Sequence, residues 1–157
     1  MSLSSIILGI SLLLAGSGAA MSQPVVQRGA GTFTCTPTRV WDGDGPIWCA
    51  EGPRIRLAGI AAREMDGSCS PGHPCPSADP TSSRNHLARL IGRVTGQSRE
   101  GHLLVSGPAL RCQPEGSAGG NRTAAWCTTH AGVNLSCQMV RDGMAARWDR
   151  YWRGQRC

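Results

Sequence analysis

The chain contains no lysine. All 16 of its basic residues are arginine, set against 10 acidic residues, for a net charge of +6 and a pI near 9.2. Arginine presents a rigid planar fork that matches phosphate oxygens two at a time, so the composition suits a polyanionic partner. A GC-rich coding sequence produces the same bias, and composition does not separate the two. Aromatic residues are scarce at 4%, with five Trp against one Phe and one Tyr. The core is therefore expected to be aliphatic, helped by eight cysteines. Charged residues make up 17% and hydrophobic ones 40%, a balance that excludes a disordered chain. A length of 157 residues excludes a multidomain protein. No apolar run approaches the ~20 residues that span a bilayer, which excludes a polytopic membrane protein.

The longest such run covers residues 6–14 and is followed by the small residues of 15–20. This pattern reads as a cleavable secretory signal, with the α-amine as its only positive charge. The expected organisation is a signal over residues 1–22 and one domain over 23–157. The mature protein is expected in the periplasm or outside the cell, as a monomer and without membrane contact. Eight cysteines, an even count, fit a disulfide framework in an oxidising compartment. Short closures favour the pairs Cys35–Cys49, Cys69–Cys75, Cys112–Cys127 and Cys137–Cys157. A zinc site on Cys69, His73 and Cys75 is the rival, but it lacks a second Cys/His pair at the usual spacing.

Residues 32–40 alternate loosely and end at Trp41-Asp42-Gly43-Asp44-Gly45, a turn rich in residues that tolerate positive φ. Residues 47–50 return as a second strand, and Arg54-Ile55-Arg56-Leu57-Ala58-Gly59-Ile60 alternates with period two as a third. Asp79 and Pro80 form a helix start. Leu87, Leu90, Ile91 and Val94 follow at helical spacing, and Gly92 or Gly96 is the stop. Residues 102–105 and 109–112 read as one strand broken by Gly107-Pro108. The glycine-rich stretch 115–120 then turns into a strand over 123–128. Asn134 caps a second helix, which Gly143 closes. The order βββ-α-ββ-α predicts an α+β, mainly β domain: a closed barrel of five antiparallel strands with two or three helices.

Few residues carry chemical potential. Asp42 and Asp44 flank a glycine in the first turn, Arg56 lies on the third strand, Glu64 follows it and Arg122 opens the last strand. Acidic oxygens two apart on a turn suit a hard cation such as Ca²⁺, while a plain Asp-Gly turn gives the same pattern. Two arginines with one carboxylate read equally as surface ion pairs. His73, His86, His102 and His130 have no paired spacing and read as ordinary surface residues. Residues 141–156 hold five arginines and two acids. They could track a nucleic-acid backbone, with Trp148 and Tyr151 as stacking surfaces, or form a solvated helix face.

In order along the chain, Val40-Trp41-Asp42-Gly43-Asp44, Arg56-Leu57-Ala58-Gly59-Ile60-Ala61-Ala62-Arg63-Glu64, Gly120-Asn121-Arg122-Thr123-Ala124 and Met139-Val140-Arg141-Asp142-Gly143-Met144-Ala145 resemble the sequence blocks of the staphylococcal nuclease (thermonuclease) family. The resemblance spans about residues 32–151. It implies an OB-fold barrel with appended helices and a Ca²⁺-dependent phosphodiesterase, an endonuclease acting on DNA and RNA. It implies Asp44 as metal ligand, Arg56 and Arg122 as clamps on the reacting phosphate, and Glu64 as general base for water. Two guanidinium groups and a cation would stabilise a dianionic pentacoordinate phosphorane, and one carboxylate is enough to activate water.

The chain also departs from that pattern. Ala61 stands where the family has a second metal-binding Asp. Arg63 replaces a Pro and brings a positive charge beside the site, and Gly120-Asn121 replaces Tyr-Gly. Losing a carboxylate weakens a Ca²⁺ site, with Asp42 and Asp66 as candidate substitutes. Two readings follow: a nuclease with an atypical metal site, or a weak or inactive OB-fold module that binds nucleic acid or a protein partner.

Overall fold

A computed structural model of the protein describes residues 24–157, so the signal expected over 1–22 lies outside it. Within those residues the fold is α+β and mostly sheet, with ten strands and three helices. In chain order these are β1 (Phe33–Cys35), β2 (Pro37–Val40), β3 (Ile47–Cys49), β4 (Arg54–Leu57), β5 (Ile60–Ala61), α1 (Pro80–Ile91), β6 (Arg93–Gln97), β7 (Leu103–Ser106), β8 (Leu110–Ser117), β9 (Arg122–Thr128), α2 (Leu135–Arg141), β10 (Ala146–Arg147) and α3 (Asp149–Trp152). Eight strands pair in the order β1-β8-β9-β4-β3-β2-β7-β6, and β5 pairs with β10 separately.

Three features differ from the expected barrel. The pairing run is open among the described residues, and β4 lies parallel to β9, so neither closure nor an all-antiparallel arrangement is seen. The first strand is split at Thr36. Its amide and hydroxyl bond the Glu51 carboxylate at 2.8 and 2.6 Å instead of the ladder, and Pro37, which follows, has no N–H to give. Residues 102–112 form two strands with different neighbours: β7 pairs with β2 and β6, whereas β8 pairs with β1 and β9. Val94, expected at helical spacing with the residues of α1, lies instead in strand β6, whose five residues are all exposed and leave no alternation to read.

Elsewhere local chemistry and fold agree. The Asp79 carboxylate accepts from Ser82 N at 2.9 Å at the start of α1, and Gly92 ends that helix by donating to Ala88 O. Asn134 caps α2 through Cys137 N at 3.1 Å. The core is aliphatic, built on Val40, Ile47, Ile55, Leu57, Ile60, Leu87, Leu110 and Leu135, with Cys35, Cys112 and Cys127 among them. All eight cysteines are paired as Cys35–Cys49, Cys69–Cys75, Cys112–Cys127 and Cys137–Cys157. The third of these joins directly opposed residues of β8 and β9. The disulfide on Cys69 and Cys75 removes the thiolates that a zinc site would need. Four disulfides are compatible with an oxidising compartment, and no helix among the described residues is long and apolar enough to cross a membrane.

Candidate functional site

The site begins with strand alternation. In β4, Ile55 and Leu57 enter the core while Arg54 and Arg56 face outward, as period-two geometry requires. In parallel β9, Arg122 lies opposite Arg54 and Ala124 opposite Arg56. Thr123 and Ala125 are buried, so Arg122 and Ala124 share the outward face with Arg56. The two arginines expected as phosphate clamps are therefore diagonal neighbours on adjacent strands. The small Ala124 beside Arg56 leaves space between them. Arg122 is braced by Gly119 O and Ala118 O, both at 3.1 Å from its Nε and Nη2, so Nη1 is not used in holding it.

The turn before β3 brings in the carboxylates. Asp44 Oδ2 accepts from Arg56 Nη2 and from the Ala62 amide, both at 2.9 Å, while the Asp44 carbonyl accepts from Leu57 N at 2.8 Å. Asp42 Oδ1 accepts from Asp44 N at 3.0 Å. Gly43 between them is not at positive φ. It is required because any Cβ would overlap Ser83 Oγ of α1 and crowd the Ala62 methyl, and Ser83 is itself held to Met144 O at 2.7 Å. The residue of this turn that needs a positive φ is Gly45, at +115°. Burial and the neighbouring Asp44 push the Asp42 carboxyl up to about 8. Burial also raises Asp44, against the pull of Arg56 and of the Ala62 amide. The 2.9 Å guanidinium contact marks the ionised Asp44 as the form that this pocket accommodates.

Glu64 sits in a tight turn, with its amide on Ser68 O at 2.9 Å and its Oε1 accepting from Ser70 Oγ at 2.5 Å. Arg63 is engaged within its own loop. Its guanidinium is spent on Pro76 O at 2.9 Å and Gly67 O at 2.8 Å, bracing the loop that Cys69–Cys75 closes. Asp66 is exposed and turned to its own loop through Ser68 N, so it does not replace the missing carboxylate.

Two clefts flank Arg122. The first, of about 420 Å³, is lined by Arg28, Arg56, His73, Arg122, Trp148 and Tyr151, with Glu115 and Arg153 at its edge. Glu115 pairs with Arg28 at 2.7 Å and with Arg153 at 3.4 Å. The Trp148 ring lies 4.1 Å from His73 and 4.6 Å from Tyr151, and the Arg56 guanidinium stands 5.6 Å from it. The second cleft, of about 510 Å³, is lined by Trp41, Asp42, Trp48, Glu64, His102 and Arg122, among others. Arg56, Glu64, Arg122 and Asp44 are thus brought to one side of the domain from four separate segments. Sequence spacing had missed His73 and His102. Both lie far from the motif blocks, and only the closing of their loops brings them to the clefts. Burial and Arg56 push the His73 imidazole below its ordinary value, with Asp44 and Glu64 pulling the other way.

Ca²⁺ takes six to eight oxygen ligands. Here one Asp44 oxygen is committed to a guanidinium and an amide, and Ala61 is fully buried and offers only a methyl. Among the described residues no three His, Cys, Asp or Glu side chains are gathered to hold an ion. The side chains gathered at Asp44 thus supply few of the oxygens that a Ca²⁺ site uses. Comparison of the chain with protein-family models, with curated proteins and with solved structures finds no match.

Proposed function

We propose that the protein is an exported phosphodiesterase that hydrolyses DNA or RNA, with its electrostatic work done chiefly by arginine. The observation that carries this reading is the diagonal placing of Arg56 and Arg122 on one face of adjacent strands, with Glu64 and Arg122 lining one cleft. A phosphodiester between the two guanidinium groups meets fixed donors, because Asp44 and Ile60 O hold Arg56 while the 118–121 turn holds Arg122. Such preorganised charge is worth most as the equatorial oxygens gain negative charge in the transition state. Glu64 takes the proton of the attacking water as the water oxygen bonds to phosphorus, the bond from phosphorus to the departing sugar oxygen breaks, and that sugar oxygen takes a proton from solvent. Ser70, whose hydroxyl Glu64 accepts, orients the carboxylate.

The OB-type barrel belongs to the same proposal. Only Thr36 separates β1, which pairs with β8, from β2, which pairs with β3. The run β8-β9-β4-β3 is therefore bridged by two consecutive segments of one bent strand, which supports an OB-like arrangement around the core.

A second reading draws on the Asp44–Arg56 contact. With that carboxylate occupied and Ala61 in place of an acid, the same face could bind nucleic acid without cutting it. Digestion of plasmid DNA and of RNA, run in parallel with Ca²⁺ and with a chelator, tests the proposal. Cleavage in both conditions supports the arginine-based reaction. Cleavage with Ca²⁺ alone would restore a metal-dependent one, and no cleavage in either would favour the binding module.

A further inference from the structure

We infer that Trp41, Trp48 and His102 form a second base-binding subsite for single-stranded nucleic acid, across Arg122 from the cleft that holds Trp148 and Tyr151. The inference rests on the proposed function only for the position of the reacting phosphate, beside Arg122.

Three rings converge on this wall from three segments. His102 packs its ring 5.0 Å from Trp41 and 4.5 Å from Trp48, and the Arg54 guanidinium stands 5.7 Å from the Trp48 ring. Indole faces backed by a guanidinium are the usual stacking platform for unpaired bases, which they bind without reading sequence. The cleft volume of about 510 Å³ lies within the range of small-ligand sites.

Charge decides which part of a nucleotide this cleft takes. The first cleft is lined by Arg28, Arg56, Arg122 and Arg153, whereas among the described residues the second is lined by Arg122 alone of the arginines, with Arg54 against its Trp48 ring and Glu64 and Glu100 on its walls. Phosphate is therefore confined to the Arg122 edge, and the remaining surface is left to an uncharged base. Because Arg122 lines both clefts, a strand with its phosphate on that residue lays one base toward Trp148 and Tyr151 and the next toward Trp41 and Trp48. A base seated there has left the duplex stack, which makes an unpaired strand the natural occupant.

Calorimetric titration of Glu64→Gln protein tests this with thymidine 5′-monophosphate, the thymidylate trinucleotide and a short duplex. Of the two bases that the trinucleotide adds, the one stacked in this cleft is expected to raise affinity about tenfold over the mononucleotide. Trp41→Leu and Trp48→Leu should erase that gain while mononucleotide affinity changes less than about twofold, and the duplex should bind more weakly than the trinucleotide. Equal affinity for mononucleotide and trinucleotide, or a duplex that binds as tightly, overturns the inference. If either Trp variant fails to fold, photo-crosslinking of a 5-iodouracil trinucleotide to the unaltered chain decides. Adducts on peptides carrying Trp41 or Trp48 support the subsite, and adducts confined to Trp148 and Tyr151 overturn it. These readouts need no hydrolysis: binding of this kind without cleavage would sink the hydrolase reading and leave the subsite standing, and cleavage without it the reverse.

Discussion

Arg56 and Asp44 form a buried ion pair, with Nη2 2.9 Å from Oδ2 and side chains only 13% and 9% exposed. The contact fixes the guanidinium toward the first cleft and commits the carboxylate that the family resemblance assigns to metal. Removing one member of a buried pair leaves the other uncompensated. Arg56→Ala is therefore expected to cost about 3–5 kcal/mol of stability. Arg56→Ala with Asp44→Ala should recover part of that loss, since no stranded charge remains. Urea unfolding of the three proteins measures both, and a single-variant cost below about 1 kcal/mol would mean that the pair behaves as a surface contact.

Asp42 gives the domain an unusual pH dependence. Its carboxyl sits at about 8 in the folded chain against an ordinary 3.8. A folded value above the unfolded one means that the native state binds the extra proton, so the associated stability is full below about pH 4 and is lost as pH rises through about 8. Asp42→Asn, which cannot ionise, should flatten that decline. Denaturant midpoints measured between those limits test it, and parallel slopes for parent and variant would contradict the assignment.

Gly43 is held by packing. A methyl there would overlap Ser83 Oγ and press on the Ala62 methyl. Gly43→Ala is expected to cost about 1–3 kcal/mol, the range for overpacking a closed site. Gly43→Ala in a Ser83→Ala background should cost less than Gly43→Ala in the parent. Equal costs in the two backgrounds, read by thermal or urea unfolding, would contradict a clash with Ser83.

The disulfides divide by what they hold. Cys35–Cys49 ties β1 to β3 across the core with a sequence separation of 14, whereas Cys69–Cys75 closes an outer loop with a separation of 6. In the loop-entropy picture their removal costs about 3 and about 2 kcal/mol. Cys69→Ala with Cys75→Ala should also loosen His73 from Trp148. The check is the unfolding midpoint of each double variant, together with Trp148 fluorescence read in variants where the other tryptophans are replaced. An undisturbed Trp148 signal would mean that the loop does not need its clasp.

Much of this was legible in the sequence, and what was not has physical causes. Asp79-Pro80 and Asn134 announced their helices because capping is a local matter of one side chain and one amide. The alternation read over 54–60 announced strand β4, but that strand stops at Leu57, and Ile60 belongs to the separate β5 paired with β10. The four cysteine pairs were reachable because each closes a short loop. Strand β6 escaped because all five residues are exposed, and the split at Thr36 escaped because it depends on Glu51, 15 residues away. Of the candidate site, Arg56, Glu64, Arg122 and Asp44 were named from motif blocks that resemble a known family. The engagement of Asp44 by Arg56, the bracing role of Arg63 and the approach of His73 and His102 to the clefts are tertiary, and no spacing encodes them.

In the proposed reaction Glu64 activates water against a phosphate held by Arg56 and Arg122. That step is tested most directly by the cleavage rate of a labelled single-stranded oligonucleotide, compared between the parent protein and Glu64→Gln at matched folding. Loss of a general base is expected to lower that rate by about 10²–10⁴-fold, with oligonucleotide binding retained. A parent protein that binds the strand and leaves it intact, or a Glu64→Gln variant that cuts as fast as the parent, would contradict the account.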